Sequence, residues 1–204
     1  MRASVRRFLL FPAIAIWIGA AGFGYLKLVR YENAPGSPPS PLDRWPAASA
    51  IERSPTRAAL VMVVHPLCSC TRASLEELAL ILARAPGLAD AHVLFFKPAE
   101  FTDNWTQTDL WTAAAAIPGV HVRIDEKGQE AKLFRASTSG SVMLYDRDGR
   151  LLFTGGITSS RAHSGDNAGA DAIVSMLAHG NAERKKTFVF GCSLLDARAD
   201  GPKQ

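Results

Sequence analysis

The sequence predicts an α/β fold for one domain, preceded by a single apolar helix near the amino terminus. Two observations indicate this: strand-like and helix-like segments alternate through residues 57–180, and residues 8–26 form an uncharged, predominantly apolar run. The chain has 204 residues, of which 48% are hydrophobic, so it can bury one core of about 120 to 150 residues. One domain with accessory segments is therefore expected.

The first segment, residues 1–30, is predicted to be a basic tip followed by a transmembrane anchor. As a helix, residues 8–26 are about long enough to cross the hydrocarbon core of a bilayer. Three arginines precede this run: Arg2, Arg6 and Arg7. The positive-inside rule then predicts a single-pass protein of the cell inner membrane, with a cytoplasmic amino terminus and a periplasmic or extracellular domain. Cleavage as a signal peptide at the small residues 19–21 is the alternative, although the apolar run continues past them, which favours a retained anchor.

The charge distribution argues against a nucleic-acid partner. The net charge is +4, from 23 Lys and Arg and 19 Asp and Glu. However, residues 1–30 hold five of the basic residues and none of the acidic ones. The rest of the chain therefore has 18 basic against 19 acidic residues, a net charge of −1. The basic residues in 1–30 belong to the predicted anchor and indicate the membrane as a partner.

Two accessory segments flank the predicted domain, which spans residues 57–180. Residues 31–56 contain six prolines, at positions 35, 38, 39, 41, 46 and 55. Such a composition is typical of a semi-extended linker, which would set the domain off from the membrane. Residues 181–204 form a C-terminal tail that contains Cys192.

The elements of the domain follow from hydrophobic periodicity and turn residues. Residues 61–64 are a buried-strand pattern that His65-Pro66 ends, because proline cannot donate to a strand ladder. From Ala73 on, apolar residues recur at helical spacing, and Asp148-Gly149 is a hairpin turn. The predicted order is strand 58–64, helix 71–85, strand 91–96, helix 108–116, strand 120–124, helix 130–134, strands 141–145 and 150–154, and helix 167–177.

Two cysteines stand where the first strand gives way to the first helix of the domain. Cys68 and Cys70 lie at or just before the first helical turn. Unpaired backbone N–H groups and the helix dipole favour a thiolate over a thiol at that position. The sequence therefore predicts a redox site, with both cysteines as its reactive groups.

The strand-Cys-Cys-helix layout resembles the thioredoxin fold, which implies a three-layer α/β/α sandwich with a mixed sheet. Residues 140–156 resemble the closing β-hairpin of that fold. Two features depart from the usual pattern: the motif is C-x-C instead of C-x-x-C, and Gly140 stands where the family has a cis-proline that shapes the substrate groove. Residues 65–72, His-Pro-Leu-Cys-Ser-Cys-Thr-Arg, are similar to the pattern of membrane-anchored RedB-like proteins. That resemblance implies a fold more than a known reaction.

The leading functional hypothesis is thiol-disulfide exchange with a protein or a small thiol as substrate, without a cofactor. An oxidising compartment would let Cys68 and Cys70 cycle between dithiol and disulfide. A ring closed across one residue is tight, so its disulfide is expected to be easily reduced. The thioredoxin pattern makes Cys68 the nucleophile and Cys70 the resolving cysteine, and an alternative alignment reverses these roles. Cys192 is a further candidate for resolving a mixed disulfide, or else a buried thiol in a docked tail.

Five other residues are candidates for substrate contacts, some with structural alternatives. Their positions are near the cysteines or in the long polar loop 155–169: His65, Arg72, Gly140, Arg161 and His163. His65 has a turn-capping alternative, and Arg72 has the alternative of a solvated helix residue. Asp166 and Asn167 are also in this loop, and one of them is expected to cap the last helix.

Two other classes of function stay open. Cys68, Cys70 and His65, with Cys192 as a further ligand, form a soft donor set suited to Cu(I), so a copper-binding or copper-delivery protein is one alternative. A structural zinc site is disfavoured because C-x-C is shorter than the usual ligand spacing. The second alternative is a noncatalytic binding module with a thioredoxin fold, in which neither cysteine is needed.

Overall fold

Five strands form one mixed sheet in the computed structural model, which describes residues 2–194, with side chains from residue 10 on. The strands are β1 (Ala58–Val64), β2 (Ala89–Lys97), β3 (Val120–Glu126), β4 (Ser141–Tyr145) and β5 (Leu151–Gly155). Their order across the sheet is β3-β2-β1-β4-β5. β1 pairs parallel with β2, and β2 pairs parallel with β3, whereas β4 pairs antiparallel with both β1 and β5. β1 therefore lies at the centre of the sheet, and its carboxyl end holds the cysteine motif.

Helices cover both faces of this sheet. α2 (Ser69–Arg84), α3 (Asp109–Ala115) and α5 (Ala168–His179) pack on one face around a core that includes Leu78, Phe95 and Ile173. α4 (Gln129–Leu133) covers the other face, where Phe134 and Tyr145 are fully buried. This arrangement confirms the predicted thioredoxin-like α/β/α sandwich with a mixed sheet.

A separate unit at the amino terminus contains α1 (Arg2–Glu32). Its section Leu10–Glu32 is long and apolar enough to cross a membrane. The predicted apolar helix is therefore present as a candidate membrane span. The unit that begins at Pro35 contains the whole sheet.

The proline-rich segment differs from the expected spacer, because much of it packs on the domain. The indole ring of Trp45 lies edge-on to the rings of Phe134, at 5.0 Å, and Tyr145, at 5.2 Å. Ile51 is 4% exposed and belongs to the same core. Burial of such apolar side chains favours docking, which a count of prolines does not reveal. The domain therefore extends to the amino-terminal side of the predicted boundary at residue 57.

The tail also packs on the domain after α5, and residues 185–194 are called the strap here. At its start, the N–H of Thr154 on β5 donates to the carbonyl of Lys185 at 3.0 Å. At its end, the N–H of Leu194 donates to the carbonyl of Ser137 at 2.8 Å, just before β4. Val189 and Leu194 are each 1% exposed. The strap thus runs from the edge strand β5 to the carboxyl end of β1, where the cysteine motif lies.

Candidate functional site

The cysteine motif lies in a tight turn between β1 and α2. The backbone N–H of Cys68 donates to the carbonyl of His65 at 3.2 Å, and the N–H of Thr71 donates to the carbonyl of Cys68 at 3.0 Å. Cys68 is the N-cap residue of α2, in an extended conformation with φ −91° and ψ 123°. The N-terminal N–H groups of a helix have no partners within it and favour negative charge nearby. The fold therefore places the Cys68 sulfur where a thiolate is stabilised.

Two buried hydroxyl groups fix this turn against the segment before β4. The hydroxyl of Ser139 accepts from the backbone N–H of His65 at 2.9 Å, and the hydroxyl of Thr71 donates to the carbonyl of His65 at 3.0 Å. The two hydroxyls are hydrogen-bonded to each other at 3.1 Å. Neither residue is exposed. Neither residue is recognisable from the sequence, because no local pattern indicates that a serine before β4 bonds to the end of β1.

The sulfur of Cys68 contacts the strap. Its distance to the sulfur of Cys192 is 2.9 Å, compared with about 2.05 Å for a disulfide bond. All three cysteines are thiols in the structure. Cys68 and Cys70 are 2% and 3% exposed, whereas Cys192 is half-buried. The structure therefore brings together one cysteine of the motif and the cysteine of the tail.

These contacts shift the pKa values of the two thiols of the motif in opposite directions. The hydrogen bond from the Cys192 thiol, followed by one from the Cys70 thiol, lowers the pKa of Cys68 well below its usual range, although burial opposes the shift. The interaction with the Cys68 sulfur, together with burial, raises the pKa of Cys70. The arrangement therefore favours a thiolate at Cys68 and a protonated thiol at Cys70.

Cys70 faces the polar loop between β5 and α5. The backbone N–H of Ala162 and the charge of Arg161 both act to lower the pKa of Cys70, but they are outweighed by the contributions from Cys68 and from burial. The guanidinium of Arg161 also donates to the carbonyl of Gly191 in the strap at 2.8 Å. The predicted site residue Arg161 thus lies between Cys70 and the strap.

The other predicted substrate contacts are more dispersed. The Nδ1 atom of His65 accepts from the N–H of Leu67 at 3.2 Å, which is the turn-capping role given as its alternative. Arg72 forms an ion pair with Asp109 of α3, and this arginine holds the pKa of Asp109 below its usual range. His163 is exposed in the polar loop. The structure therefore brings Arg161 to the sulfurs, while Arg72 is engaged by α3.

Two glycines allow the segments around the sulfurs to approach closely. Gly140 has φ +86°, a conformation that other residues rarely adopt, and its N–H donates to the carbonyl of Val63 at 2.8 Å. A Cβ atom at Gly191 would lie 1.9 Å from the carbonyl oxygen of Ser139. Gly191 therefore has no room for a side chain, and the strap lies directly against the segment before β4.

Asn167 has the structural role that the sequence offers as an alternative. Its side-chain oxygen accepts from the N–H of Ala170 at 2.8 Å, so it caps α5. Its amide nitrogen donates to the buried carboxylate of Glu77 at 3.0 Å, and Glu77 also accepts from the N–H of Gly165 at 2.6 Å. These bonds attach the polar loop to α2. The expected helix cap is thus Asn167 and not Asp166.

Within residues 2–194, no group of three or more His, Cys, Asp or Glu side chains is placed to hold a metal ion. The predicted metal ligand His65 directs Nδ1 toward the backbone of its own turn. The donors that lie together are sulfurs, which suit Cu(I) better than zinc in this number. A metal in this site would depend on the thiols of Cys68 and Cys192.

No family model matches the sequence, and no curated protein matches it. Among solved structures, a conserved protein from Geobacillus kaustophilus is 17% identical with a TM-score of 0.55, over 82% of this chain and 95% of that one. A hypothetical protein from Sinorhizobium meliloti 1021 is 18% identical with a TM-score of 0.56, over 79% of this chain and 94% of that one. A weaker match, with a TM-score of 0.41 and 17% identity, is the exposed lipoprotein thioredoxin of Streptococcus pneumoniae strain TIGR4, over 60% of this chain and 84% of that one. At these identities the likeness to the first two structures shows the fold alone.

Proposed function

We propose that this chain is a membrane-anchored thiol-disulfide exchange protein in which Cys68 of the C-x-C motif is the attacking group. The observation that carries the proposal is the position of the Cys68 sulfur, at the N-terminal end of α2 and 2.9 Å from a second sulfur. Exchange needs a stabilised thiolate and a second thiol within reach. Both requirements are met at this one atom.

The chemistry is two successive displacements. The Cys68 thiolate attacks one sulfur of a substrate disulfide, so that a mixed disulfide forms and one substrate thiolate leaves. A second protein thiol then attacks the Cys68 sulfur, releases the other substrate thiolate and leaves a protein disulfide. Two protons from the protein thiols and solvent complete the two substrate thiols. The substrate is reduced by two electrons, and the protein dithiol is oxidised by two. The reverse sequence would oxidise a substrate dithiol.

The proposed location is the periplasmic or extracellular side of the cell inner membrane. The candidate span Leu10–Glu32 and the arginines that precede it support a single crossing with a cytoplasmic amino terminus. Disulfides persist in that compartment, so a protein of this chemistry has substrates there. The similarity of residues 65–72 to the RedB-like pattern supports the same assignment.

The proposed substrate is a protein or a small thiol that approaches between the turn and the polar loop. Arg161 and His163 are on the loop side of this entrance, and Arg72, His65 and Gly140 are on the side of the turn and β4. Because Cys68 is 2% exposed, its sulfur is reached only when the strap or the loop shifts. The active form is therefore more open around Cys192.

Copper handling is the second candidate for the same site, and the closeness of two soft sulfurs favours it. The thiolates of Cys68 and Cys192 would hold a Cu(I) ion, which prefers soft sulfur ligands. The absence of a third ligand placed with them in residues 2–194 ranks this function below exchange. A noncatalytic binding module ranks lower again, because it gives no reason for a stabilised thiolate.

The test uses the full chain, purified in detergent, treated with a chelator and equilibrated in glutathione buffers of stepped potential. Thiols are then trapped and identified by mass spectrometry. The expected result is a reversible disulfide that includes Cys68, with a potential above about −300 mV, the value below which structural disulfides usually lie. A Cys68→Ser variant should lose it, and a Ser69→Ala variant should keep it. If Cys68 stays a thiol in every buffer, exchange is excluded. Stoichiometric Cu(I) binding that Cys68→Ser abolishes would then support the second candidate.

A further inference from the structure

The Cys68 sulfur interacts with both of the other thiols, that of Cys192 in the strap and that of Cys70 in the motif. Cys68 precedes α2 in an extended conformation, and Cys70 is the second residue of that helix. Cys68 contacts Cys192 of the strap, whereas Cys70 contacts the loop at Ala162. A disulfide between Cys68 and Cys70 would close a tight ring across one residue, whereas one between Cys68 and Cys192 would not.

The backbone of the strap holds Cys192 in place on both sides. The carbonyl of Cys192 accepts from the N–H of Ser139 at 2.8 Å, and the next residue but one, Leu194, donates to Ser137 at 2.8 Å. On the other side, Arg161 donates to the carbonyl of Gly191 at 2.8 Å. Three hydrogen bonds in four residues fix the direction of this segment. The approach of the Cys192 sulfur to Cys68 is therefore set by the fold.

We propose that Cys192, and not Cys70, is the resolving cysteine, and that the oxidised protein contains a Cys68–Cys192 disulfide. This inference rests on the proposed exchange function and identifies the second thiol in it. The sulfur-sulfur distance of 2.9 Å and the anchored strap are the observations that carry it. Resolution by Cys192 needs only a small movement of two side chains, whereas resolution by Cys70 has to close a tight ring across one residue.

Before the resolving step, the thiol of Cys192 releases its proton to solvent. After a substrate disulfide has reacted, Cys68 carries a mixed disulfide with one substrate sulfur. The thiolate of Cys192 attacks the Cys68 sulfur, the Cys68–Cys192 bond forms, and the bond from Cys68 to the substrate breaks. The electron pair of that bond leaves on the substrate sulfur, which takes a proton from solvent. The thiol of Cys70 stays reduced throughout, so the cycle uses two of the three cysteines.

The strap also covers the Cys68 sulfur, whose mixed disulfide Cys192 resolves. Cys68 is 2% exposed under the strap, so residues around Cys192 move aside for the first attack and return for the second. Once the disulfide has formed, it joins the strap covalently to the turn after β1. The reduced protein can therefore open at this place, and the oxidised protein is closed there.

The test maps the oxidised protein directly, using the full chain in detergent and glutathione disulfide as the probe. Trypsin releases residues 58–72, with both cysteines of the motif, and residues 187–198, with Cys192. Fragmentation of the linked peptides then locates the bond. The expected product joins the Cys68 sulfur to residues 187–198. A bond between Cys68 and Cys70 within residues 58–72, or a bond from Cys70 to Cys192, would overturn the inference.

Two matched variants provide a second measurement, which does not depend on locating the disulfide in the wild-type protein. Cys192→Ser should accumulate glutathione on Cys68 to a level about tenfold or more above Cys70→Ser, because it lacks the nearby thiol that resolves the mixed disulfide. Equal levels, or a higher level in Cys70→Ser, would overturn the inference while leaving exchange at Cys68 intact. If Cys68 carries neither glutathione nor a disulfide to another cysteine in either variant, the proposed function itself fails. Circular dichroism of both variants confirms that each is folded.

Discussion

The hydroxyl of Ser139 accepts a hydrogen bond from the backbone N–H of His65 at 2.9 Å, across 74 residues of sequence. This bond ties the turn that carries Cys68 to the segment before β4. The same segment donates to the carbonyl of Cys192 from the N–H of Ser139. One residue thus positions both the turn and the strap, and the contact between the two sulfurs depends on it.

Replacing Ser139 with alanine should destabilise the domain. The N–H of His65 would lose its acceptor in a buried position, which costs about 1 to 3 kcal/mol. Chemical denaturation of the full chain in detergent, followed by circular dichroism, measures the change. The matched control is Ser159→Ala, since Ser159 is exposed in the polar loop. Equal free energies of unfolding for the two variants would contradict the role given to Ser139.

Replacing Asn167 with alanine should also lower stability, through loss of the cap on α5. Removal of an N-cap side chain costs about 1 kcal/mol, and the carboxylate of Glu77 would lose one hydrogen bond as well. Asp166→Ala is the control, because the adjacent Asp166 is exposed. Thermal unfolding of both variants measures the difference. A larger effect for Asp166→Ala would mean that the cap is assigned to the wrong residue.

Local patterns in the sequence predict the elements but not how distant segments meet. The predicted strands at 58–64 and 141–145 coincide with β1 and β4, because alternating and β-branched runs define them. The helix predicted from residue 71 begins at Ser69, since helical spacing is evident only from Ala73 on. The proline-rich segment is predicted as a spacer, yet it docks through Trp45. The composition of this segment indicates how it behaves in isolation, and it does not reveal that the domain offers a surface on which it packs.

In the candidate site, too, sequence patterns predict some features and not others. The C-x-C motif predicts a reactive turn at the start of a helix, and the structure places Cys68 there. The contact of Cys68 with Cys192 spans 124 residues, so it depends on the course of the strap. The hydroxyls of Thr71 and Ser139 meet for the same reason. Sequence patterns thus predict the reactive residue, whereas the fold selects its neighbours.

Removing the hydrogen-bond donor at residue 192 should raise the pKa of Cys68. The Cys192 thiol is the largest cause of the lowered pKa, so Cys192→Ala should shift it upward. Cys192→Ser keeps a donor at this position and should shift the pKa less. The measurement is the pH dependence of alkylation of Cys68 by iodoacetamide, followed by mass spectrometry in a Cys70→Ser background. Identical profiles for the two substitutions would contradict a hydrogen bond between residues 68 and 192.

The thiolate at Cys68 should make folding stability depend on pH. The pKa of Cys68 is lowered in the folded protein from its ordinary value of 9.0, so the unfolded state binds more protons between the two values. Stability therefore rises with pH through neutrality up to about pH 9 and is lost as pH falls toward the folded pKa. Cys70 acts in the opposite sense: its raised pKa contributes stability below pH 9.0 that is lost at higher pH.

The measurement for this prediction is the free energy of unfolding of the reduced wild type and of Cys68→Ala between pH 6 and pH 9. Subtracting one from the other removes the groups common to both proteins. The titratable groups that interact with Cys68 are Cys70 and Cys192, and the charge of Arg161 acts on Cys70. The advantage of the wild type should grow as pH rises toward 9. A difference that is constant or shrinks with pH would show that Cys68 is not a stabilised thiolate.

A methyl group at residue 191 should separate the two sulfurs. The Cβ atom of Gly191→Ala would lie 1.9 Å from the carbonyl oxygen of Ser139, so the strap has to move away. Cys68, which is 2% exposed under the strap, should then react faster with iodoacetamide, and the disulfide to Cys192 should form more slowly. Lys186→Ala is the control, because Lys186 is exposed at the far end of the strap. If Gly191→Ala and its control react at the same rate, the strap does not cover Cys68.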